Sequence, residues 1–310
     1  MNNRVYDLIV VGGGPGGYTA ALYAARAGLD ALVLEKLSAG GQMALTHQID
    51  NYPGFPEGID GFELGEKMQA QAERFGAQTE YAQVLSAELS AEIKVLHTDA
   101  GDFWGRTVVI ATGADPKKLS LSGEDALVGK GVAYCAACDG QFYRGKTVAV
   151  VGGGNSAAAD AAILSRIAQR VYLIHRRDTL RADKASSAGL YRAENVEFIW
   201  NSTVTELLHG EKLTGLALEN VHTGEKSTLS VDGVFISIGR DPVTGFLADQ
   251  IELDQGGYIP AGENTATSLP GVYAVGDVRT KQLRQIVTAV ADGAIAVHEA
   301  EKYLAEISKA

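Results

Sequence analysis

The chain is poor in cysteine, in basic charge and in long apolar runs. Among its 310 residues, only Cys135 and Cys138 are cysteines. The net charge is −11, with 27 Lys and Arg against 38 Asp and Glu, so the basic face of a nucleic-acid-binding protein is missing and we expect no nucleic-acid partner. The apolar run at residues 8–11 is far too short for a signal-peptide core or a membrane span. We therefore expect a cytoplasmic protein without membrane association.

The two cysteines stand one helical turn apart in Tyr-Cys-Ala-Ala-Cys-Asp-Gly, residues 134–140, and four interpretations compete. A structural disulfide across so short a loop yields only about 2 kcal/mol, against roughly 4.7 for a hundred-residue loop. A zinc site needs about four ligands and the six histidines are scattered, so we expect no metal. Two buried thiols remain open, because free cysteine often acts as a small hydrophobe. A redox pair is favoured, because Cys-x-x-Cys combines an acidic thiol with a resolving thiol.

The same strand–loop–helix–strand unit occurs twice. The first unit has a strand at residues 6–11, a glycine-rich loop, a helix to Ala27 and a strand at 31–34 that ends at Glu35. In the second unit, a strand at residues 147–151 leads to a similar loop, a helix to about Ile167 and a strand at 171–174 that ends at His175. The loop residues are Gly12, Gly14, Pro15 and Gly17 in the first unit, and Gly152, Gly154, Asn155, Ser156 and Ala157 in the second.

Each loop matches the Gly-x-Gly-x-x-Gly/Ala pattern of dinucleotide-binding proteins. The glycines allow a tight turn, a close approach of the backbone to pyrophosphate, and close helix–strand packing. The pyrophosphate would lie at the helix N-terminus, where free N–H groups favour an anion. A single match could be a turn that binds nothing. The repetition of all five features in register predicts an α/β fold with two dinucleotide sites.

The residues that close the second strands predict different nucleotides. Glu35 can accept hydrogen bonds from a ribose 2′-hydroxyl but would repel a 2′-phosphate. At the other site stand His175, Arg176 and Arg177, followed by Arg181, and guanidinium groups bind phosphate oxygens through paired donors. A solvated loop is the alternative for the arginines. The first site is thus predicted to take an adenine nucleotide without a 2′-phosphate, and the second to take NADPH.

Two dinucleotides and a dithiol together suggest a path for electrons. NADPH donates two electrons as hydride, whereas a disulfide accepts two electrons and releases thiolates. A flavin accepts hydride and delivers electrons to sulfur, so the first nucleotide is most simply FAD.

These motifs, taken in order, resemble the low-molecular-weight, bacterial-type NADPH-dependent thioredoxin reductases. The resemblance extends over essentially the whole chain and rests on residues 135–140 between the two glycine loops and on His175-Arg176-Arg177. It extends to further cofactor-binding positions, namely Gln42, Asn51, Ala111, Thr112, Gly113, Gly276, Asp277, Arg284 and Gln285.

The resemblance implies two Rossmann-like dinucleotide-binding domains, with the NADPH domain inserted into the FAD domain. The FAD domain would comprise residues 1–115 and 248–310, and the NADPH domain residues 116–247, which include the cysteine pair. Pro116 and residues 241–245 are candidate hinge segments, because Pro and Gly interrupt regular elements. The resemblance also implies a homodimer whose substrate is thioredoxin or a thioredoxin-like protein.

It also implies catalytic roles for three residues. Cys138 would face the flavin, Cys135 would attack the disulfide of the protein substrate, and Asp139 would be the general acid/base. A carboxyl group at a buried flavin site can have its pKa raised toward working pH. A helix N-cap or turn former is the alternative for Asp139.

The sequence departs from the family at Ala159 and Asp160, which replace a more acidic pair; we expect a slight change in NADPH affinity. The sequence also bears on three rival functions. Arg176 and Arg177 disfavour a reductase fed by ferredoxin or another donor, and the cysteine pair disfavours a flavin oxidase that reduces oxygen. A nucleotide-sensing module would be excluded by turnover of a disulfide with NADPH.

Overall fold

In a computed structural model of the protein, residues 4–46, 48–247 and 250–309 are described, apart from the side chains of 185 and 186. The chain forms two compact units. The first comprises Met1–Asp115 and Asp241–Ala310, and the second, Pro116–Arg240, is inserted between them in the sequence. The second break lies seven residues before the one expected from the sequence.

The position of that break has a physical reason. Val243 N donates to Gly113 O at 3.1 Å, and Thr112 Oγ1 donates to Val243 O at 2.7 Å. Leu247 belongs to a hydrophobic core of the first unit. Residues 241–247 are therefore fixed to the first unit. Which nucleotide each unit binds stays a prediction.

The helices are α1 (Pro15–Arg26), α2 (Gly61–Arg74), α3 (Ala136–Asp139), α4 (Asn155–Leu164), α5 (Lys184–Ser187) and α6 (Ile286–Ile307). The strands are β1 (Val5–Val11), β2 (Ala31–Glu35), β3 (Gln78–Tyr81), β4 (Val84–Glu88), β5 (Lys94–Thr98), β6 (Gly101–Ile110), β7 (Ala114–Pro116), β8 (Val132–Ala133), β9 (Thr147–Val151), β10 (Arg170–Ile174), β11 (Val196–Ile199), β12 (Ser202–His209), β13 (Leu213–Asn220), β14 (Lys226–Ser230), β15 (Gly233–Ile236), β16 (Arg240–Pro242) and β17 (Val272–Ala274). Short 3-10 turns include Gly140–Tyr143, Leu190–Arg192, Gly245–Leu247 and Gly276–Val278.

The first unit is built on a sheet of strand order β3-β2-β1-β6-β5-β4, with β17 also paired to β6. The pairings among β3, β2, β1, β6 and β17 are parallel, whereas β5 and β4 join as antiparallel strands. The central strands are buried apolar runs, as expected where both faces of a parallel sheet are covered. Helices α1 and α6 pack against each other and contribute to the core on one face.

The second unit contains a parallel sheet of order β11-β10-β9-β15-β8. Helix α4 packs beside β9 and β10, where Ala157, Ala158, Ala161 and Leu164 join the core. An antiparallel sheet of β12, β13 and β14 lies against the core on the other side of β9. Strands β7 and β16 form a separate two-stranded sheet.

The elements of the repeated unit lie close to the ranges expected from the sequence, with one clear difference. Helix α4 ends at Leu164 rather than near Ile167. The C-cap is Ser165, whose Oγ bonds back to Ala162 O at 3.0 Å, and the next residues turn toward β10. A hydroxyl side chain that bonds to the preceding turn competes with helix continuation.

We predict that Gly293→Ala destabilises the first unit. A Cβ at Gly293 in α6 would overlap Gly16 O and lie 3.0 Å from Ala20 N, and both are backbone atoms of α1 that cannot swing away. Overpacking of this kind costs about 1–3 kcal/mol, which corresponds to roughly 5 °C in melting temperature. Thermal unfolding measures the effect. Gly262→Ala is the matched control, because its added Cβ would meet Asn264 Oδ1 at an ordinary 3.5 Å; equal melting temperatures for the two variants would contradict the prediction.

Candidate functional site

Four predicted site segments of the first unit meet at the carboxyl edge of its sheet. Strands β2, β1, β6 and β17 are neighbours in that order. They are followed by Glu35 at the end of β2, the loop 12–17 after β1, residues 111–113 after β6, and Gly276 with Asp277 after β17. Adjacent strands lie about 4.8 Å apart, so these segments form a continuous row. Ligands of open α/β sheets bind along this edge.

The first glycine loop leaves open space in front of α1. Gly12 has φ +104°, and a Cβ there would lie 2.6 Å from Ala111 O, so strand ends β1 and β6 are in close contact. A Cβ at Gly17 would overlap Gly12 O. At Gly14, by contrast, an added Cβ would meet none of the described atoms within 4 Å, and no side chain caps α1, whose first residue is Pro15. Open space before uncapped N–H groups fits a pyrophosphate.

Glu35 is held beside that loop by main-chain donors. Glu35 is buried, with 8% of its surface exposed. Oε2 accepts from Gly13 N at 2.6 Å, and Oε1 accepts from Leu37 N at 3.0 Å. Each carboxylate oxygen has a further lone pair, so the fixed group can also accept from a ribose hydroxyl.

Other predicted residues of the first unit are linked in pairs. Asn51 Nδ2 donates to Gln285 Oε1 at 3.0 Å, and Gln285 is the N-cap of α6. Arg284 Nε donates to Asp277 O at 3.4 Å, and its guanidinium lies 4.4 Å from the ring centroid of Tyr258. Residues 50–56 line a cavity of about 360 Å³. The loops that contain Asn51, Asp277 and Gln285 are thus tied together.

Gln42 is also tied to the edge of this unit. Its Nε2 donates to Asp115 Oδ1 at 2.7 Å. The preceding residue, Gly41, approaches the first glycine loop, because a Cβ there would lie 3.5 Å from Gly14 Cα.

The second unit has a matching row at the carboxyl edge of its sheet. His175 follows β10, the loop 152–157 follows β9, Ser237 follows β15, and Cys135 stands two residues after β8. These strands are adjacent in the order β10-β9-β15-β8. The cysteine turn and the glycine loop therefore lie on the same edge, two strand spacings or about 10 Å apart.

The second glycine loop repeats the features of the first. A Cβ at Gly152, which has φ +150°, would overlap Ser237 O, whereas one at Gly154 would meet none of the described atoms within 4 Å. Helix α4 begins at Asn155 without a side-chain cap. Ser156 is exposed in its first turn, and Ala157 is fully buried against the sheet. These residues fit a second pyrophosphate.

The main chain holds the segment after β10 against this loop. Arg181 N and Ala182 N donate to Gly153 O at 2.6 and 3.1 Å. Asp183 N donates to Asn155 Oδ1 at 2.9 Å. The predicted phosphate-binding side chain of Arg181 therefore starts from a fixed backbone position.

His175 lies at the centre of a cationic group. The residue is 5% exposed, and its Nε2 is a buried atom without a hydrogen-bond partner among the described residues. Burial lowers its pKa, and the positive charges of Arg181, Arg177 and Arg176 lower it further. The three arginines are exposed around a neutral imidazole. Such an arrangement fits a phosphate group.

Cys135 and Cys138 form a disulfide, with their Cα atoms 5.3 Å apart. Cys135 is the N-cap of α3, and Cys138 N donates to Cys135 Sγ at 3.2 Å. Asp139 is the last residue of α3 and precedes the 3-10 turn Gly140–Tyr143, and its role stays a prediction. Its charge acts on the buried Tyr143: burial first, then Asp139, raises the pKa of that phenol to about 12. Both cysteines and Asp139 are half-buried.

Two carboxyl groups that the sequence analysis did not place at the cysteines hold this turn. Tyr134 OH donates to Glu124 Oε1 at 2.7 Å, and Glu124 also accepts from Leu119 N and Leu121 N. Ala136 N, between the cysteines, donates to Asp160 Oδ1 at 3.2 Å. In the sequence, Asp160 could have been recognised only as an acidic residue within the alanine-rich helix α4.

A third missed carboxyl group stabilises the turn at Gly276 and Asp277. Asp292 of α6, 4% exposed, accepts from Gly276 N at 2.9 Å. It also accepts from Arg279 Nη2 at 2.6 Å and from Lys281 Nζ at 2.7 Å. Burial alone would raise the pKa of Asp292, but these donors outweigh it and lower the pKa. The only sequence signal for Asp292 was an acidic residue within an apolar helical stretch, as for Asp160.

No helix in the described part of the chain is both long enough and apolar enough to cross a membrane. Among the same residues, no group of three or more His, Cys, Asp or Glu side chains is arranged to hold a metal ion.

Comparison with known proteins gives consistent similarities. The family model described as "Pyridine nucleotide-disulphide oxidoreductase" matches residues 6–293. A thioredoxin reductase of Listeria monocytogenes is 44% identical over 307 residues, which cover 99% of this chain and 96% of the relative. One of Streptomyces coelicolor is 46% identical over 307 residues, covering 98% and 95%. A crystal structure of thioredoxin reductase from Streptococcus pyogenes has a TM-score of 0.90 and 42% identity, covering 98% of this chain and 100% of that one.

We predict that Asp292→Asn lowers stability at neutral pH, because it leaves Arg279 and Lys281 buried with their shared counter-charge removed. Breaking a buried ion pair typically costs about 3–5 kcal/mol. The pKa of Asp292 is lower in the folded state, so its contribution is complete above the unfolded-state value of about 3.9 and is lost as pH falls further. Thermal unfolding should therefore show a large difference at pH 7 that shrinks below about pH 4.

Asp254→Asn is the control for that experiment. Asp254 is exposed and accepts from Gly256 N and Tyr258 N at 2.8 and 2.9 Å, so it shares the backbone bonds but lacks the buried cations. A loss of stability no greater than that of the control would show that the ion cluster contributes nothing.

Proposed function

Because this chain belongs to the pyridine nucleotide-disulphide oxidoreductases and, within them, to the thioredoxin reductases, we propose that it carries electrons from NADPH through FAD and the Cys135–Cys138 pair to thioredoxin or a thioredoxin-like protein. It is a flavoprotein disulfide reductase. The observation that carries the proposal is the disulfide at the sheet edge that also holds the second glycine loop. A redox pair and a nucleotide-type site thus share one unit.

The first unit supplies groups suited to FAD. The uncapped N-terminus of α1 would hold the pyrophosphate, and the fixed carboxylate of Glu35 would hold a ribose hydroxyl. Asp277 would reach the ribitol, as the family resemblance implies, with Arg284 and Gln285 beside the flavin. When bound, FAD supplies a carrier that accepts hydride and delivers electrons to sulfur.

The second unit supplies groups suited to NADPH. The N-terminus of α4 would hold its pyrophosphate. Arg176, Arg177 and Arg181 would bind the 2′-phosphate beside His175, whose pKa is lowered and whose ring is therefore neutral at working pH. Forked guanidinium donors match phosphate oxygens, which gives selectivity over NADH.

The cysteine pair would perform the exchange with the protein substrate. Two electrons and two protons open the Sγ–Sγ bond to two thiols. The Cys135 thiolate then attacks the substrate disulfide to give a mixed disulfide, and Cys138 displaces the reduced substrate and restores the bond. Asp139, half-buried at the end of α3, would move the protons. We also propose a cytoplasmic location. Disulfides in that compartment are more often catalytic than structural, which agrees with a redox role for this pair. We further propose a homodimer, as the family resemblance implies.

We predict that Arg176→Ala and Arg177→Ala each weaken NADPH about ten- to a hundredfold, because a charge-assisted hydrogen bond contributes roughly 1.5–3 kcal/mol. NADH, which lacks the 2′-phosphate, should be nearly unaffected. The KM values for both nucleotides in flavin reduction measure the effect. Arg192→Ala, an exposed arginine of the same unit outside this loop, is the control. Equal losses for NADPH and NADH would show that the arginines do not read the phosphate.

We predict that Cys135→Ser or Cys138→Ser abolishes reduction of thioredoxin, because exchange through a mixed disulfide needs both thiols. Reduction of the flavin by NADPH should persist, since it precedes the disulfide. Stopped-flow flavin absorbance and NADPH consumption with thioredoxin separate the two steps. Turnover of thioredoxin by the Cys135→Ser enzyme would refute the role assigned to Cys135.

A further inference from the structure

Asp160 links three strand ends of the second unit. It lies on α4, the helix that follows β9. Its Oδ1 accepts from Ala136 N, which belongs to the turn after β8, at 3.2 Å. Its Oδ2 accepts from Ser237 Oγ, which follows β15, in a short hydrogen bond. One carboxyl group therefore connects the redox turn to the helix of the second glycine loop.

The carboxyl group of Asp160 is half-buried. Burial raises its pKa, while the bonds from Ser237 and Ala136 N and the charge of Arg240 act in the opposite direction. The other charged residues on elements that pack against α4 are Asp139 on α3, Lys184 on α5, Arg170 on β10 and Arg192 on the 3-10 turn Leu190–Arg192. No other residue of α4 is charged.

We propose that Asp160 is a positioning residue of the redox pair: its carboxylate holds the N–H between the two cysteines and places a negative charge next to Cys135, which makes the thiols of the reduced pair less acidic. This inference rests on the proposed redox function. The bonded atom Ala136 N is joined directly to the carbonyl carbon of Cys135, so the carboxylate contacts the peptide group that follows this cysteine.

The electrostatic consequence follows from the chemistry of reduction. Opening the Sγ–Sγ bond takes up two electrons, and each sulfur then either binds a proton or remains a thiolate. A negative charge near a thiolate disfavours it, and raising the thiol pKa by one unit lowers the thiolate fraction about tenfold. Asp160 therefore favours the protonated dithiol. Above the thiol pKa it also makes the pair a stronger reductant, because the reduced form is less stabilised there.

The test replaces the charge and keeps the hydrogen bond. Asp160→Asn retains an oxygen that accepts from Ala136 N but is neutral. In the reduced holoenzyme, the rate of alkylation by iodoacetamide against pH gives the acidity of the thiols. We expect a thiol pKa lower by about one unit, that is, up to about tenfold more thiolate at pH 7. Equilibration with dithiothreitol buffers at pH 9 should give a potential less negative by about 30 mV, equivalent to tenfold, with little difference at pH 6.

Two further variants separate charge from structure. Asp160→Glu restores a carboxylate and should return the thiol pKa to within a few tenths of the wild-type value. Asp232→Asn removes an acid of the same unit that accepts from Thr147 N at 2.9 Å, away from the cysteines, and should change nothing. A wild-type thiol pKa in Asp160→Asn, a shift in Asp160→Glu equal to that of Asp160→Asn, or an equal shift in Asp232→Asn would each overturn the inference.

These measurements need neither NADPH nor a protein substrate. If wild-type enzyme reduces thioredoxin with NADPH while Asp160→Asn keeps the wild-type thiol pKa, the inference about Asp160 fails and the proposed function stands. If NADPH does not reduce the wild-type disulfide, the proposed function fails.

Discussion

Each unit depends on a glycine-rich turn between one strand and the helix that follows it. At this turn the two elements pack so closely that a β-carbon has no room. After β1, a Cβ at Gly17 would overlap Gly12 O, and one at Gly12 would press on Ala111 at the end of β6. After β9, a Cβ at Gly152 would overlap Ser237 O at the end of β15. The turn therefore fixes the next strand end as well as its own helix. Because the helix N-termini remain uncapped, each turn also leaves donors facing outward at the edge where the other site residues gather.

Around these turns, carboxylates fix the functional loops by accepting main-chain N–H groups. Asp160 holds Ala136, and Asp292 holds Gly276. Glu35 and Glu124 do the same for Gly13 and for Leu119 with Leu121. A hydrogen bond to a charged group contributes about 1.5–3 kcal/mol, more than one between neutral groups. Some of the acidic residues of the chain thus stabilise the conformation of the loops at the predicted sites.

The α/β fold with two Rossmann-like units, the thioredoxin reductase family and the disulfide reductase function were predicted from the sequence and are confirmed. Local patterns were sufficient for the repeated unit, since strand, glycine loop and helix are neighbours along the chain. The contacts of Asp160 with Ala136 and Ser237 join residues far apart in sequence, and a motif does not contain that information. The same holds for residues 241–247, which are held by hydrogen bonds to Thr112 and Gly113. The roles of the individual site residues stay predictions.

The segment beside the second glycine loop has a consequence for how such a protein can change. Its course is set by main-chain donors, Arg181 N and Ala182 N on Gly153 O, together with Asp183 N on Asn155 Oδ1. Arg176, Arg177 and Arg181 are exposed, whereas the hydrogen bonds named above involve the backbone of this segment. Under the proposed function, selectivity for NADPH over NADH therefore depends on exposed side chains and not on the backbone that sets the course of the segment. Lineages can exchange one hydride donor for another by substitution at these positions while the architecture is inherited unchanged.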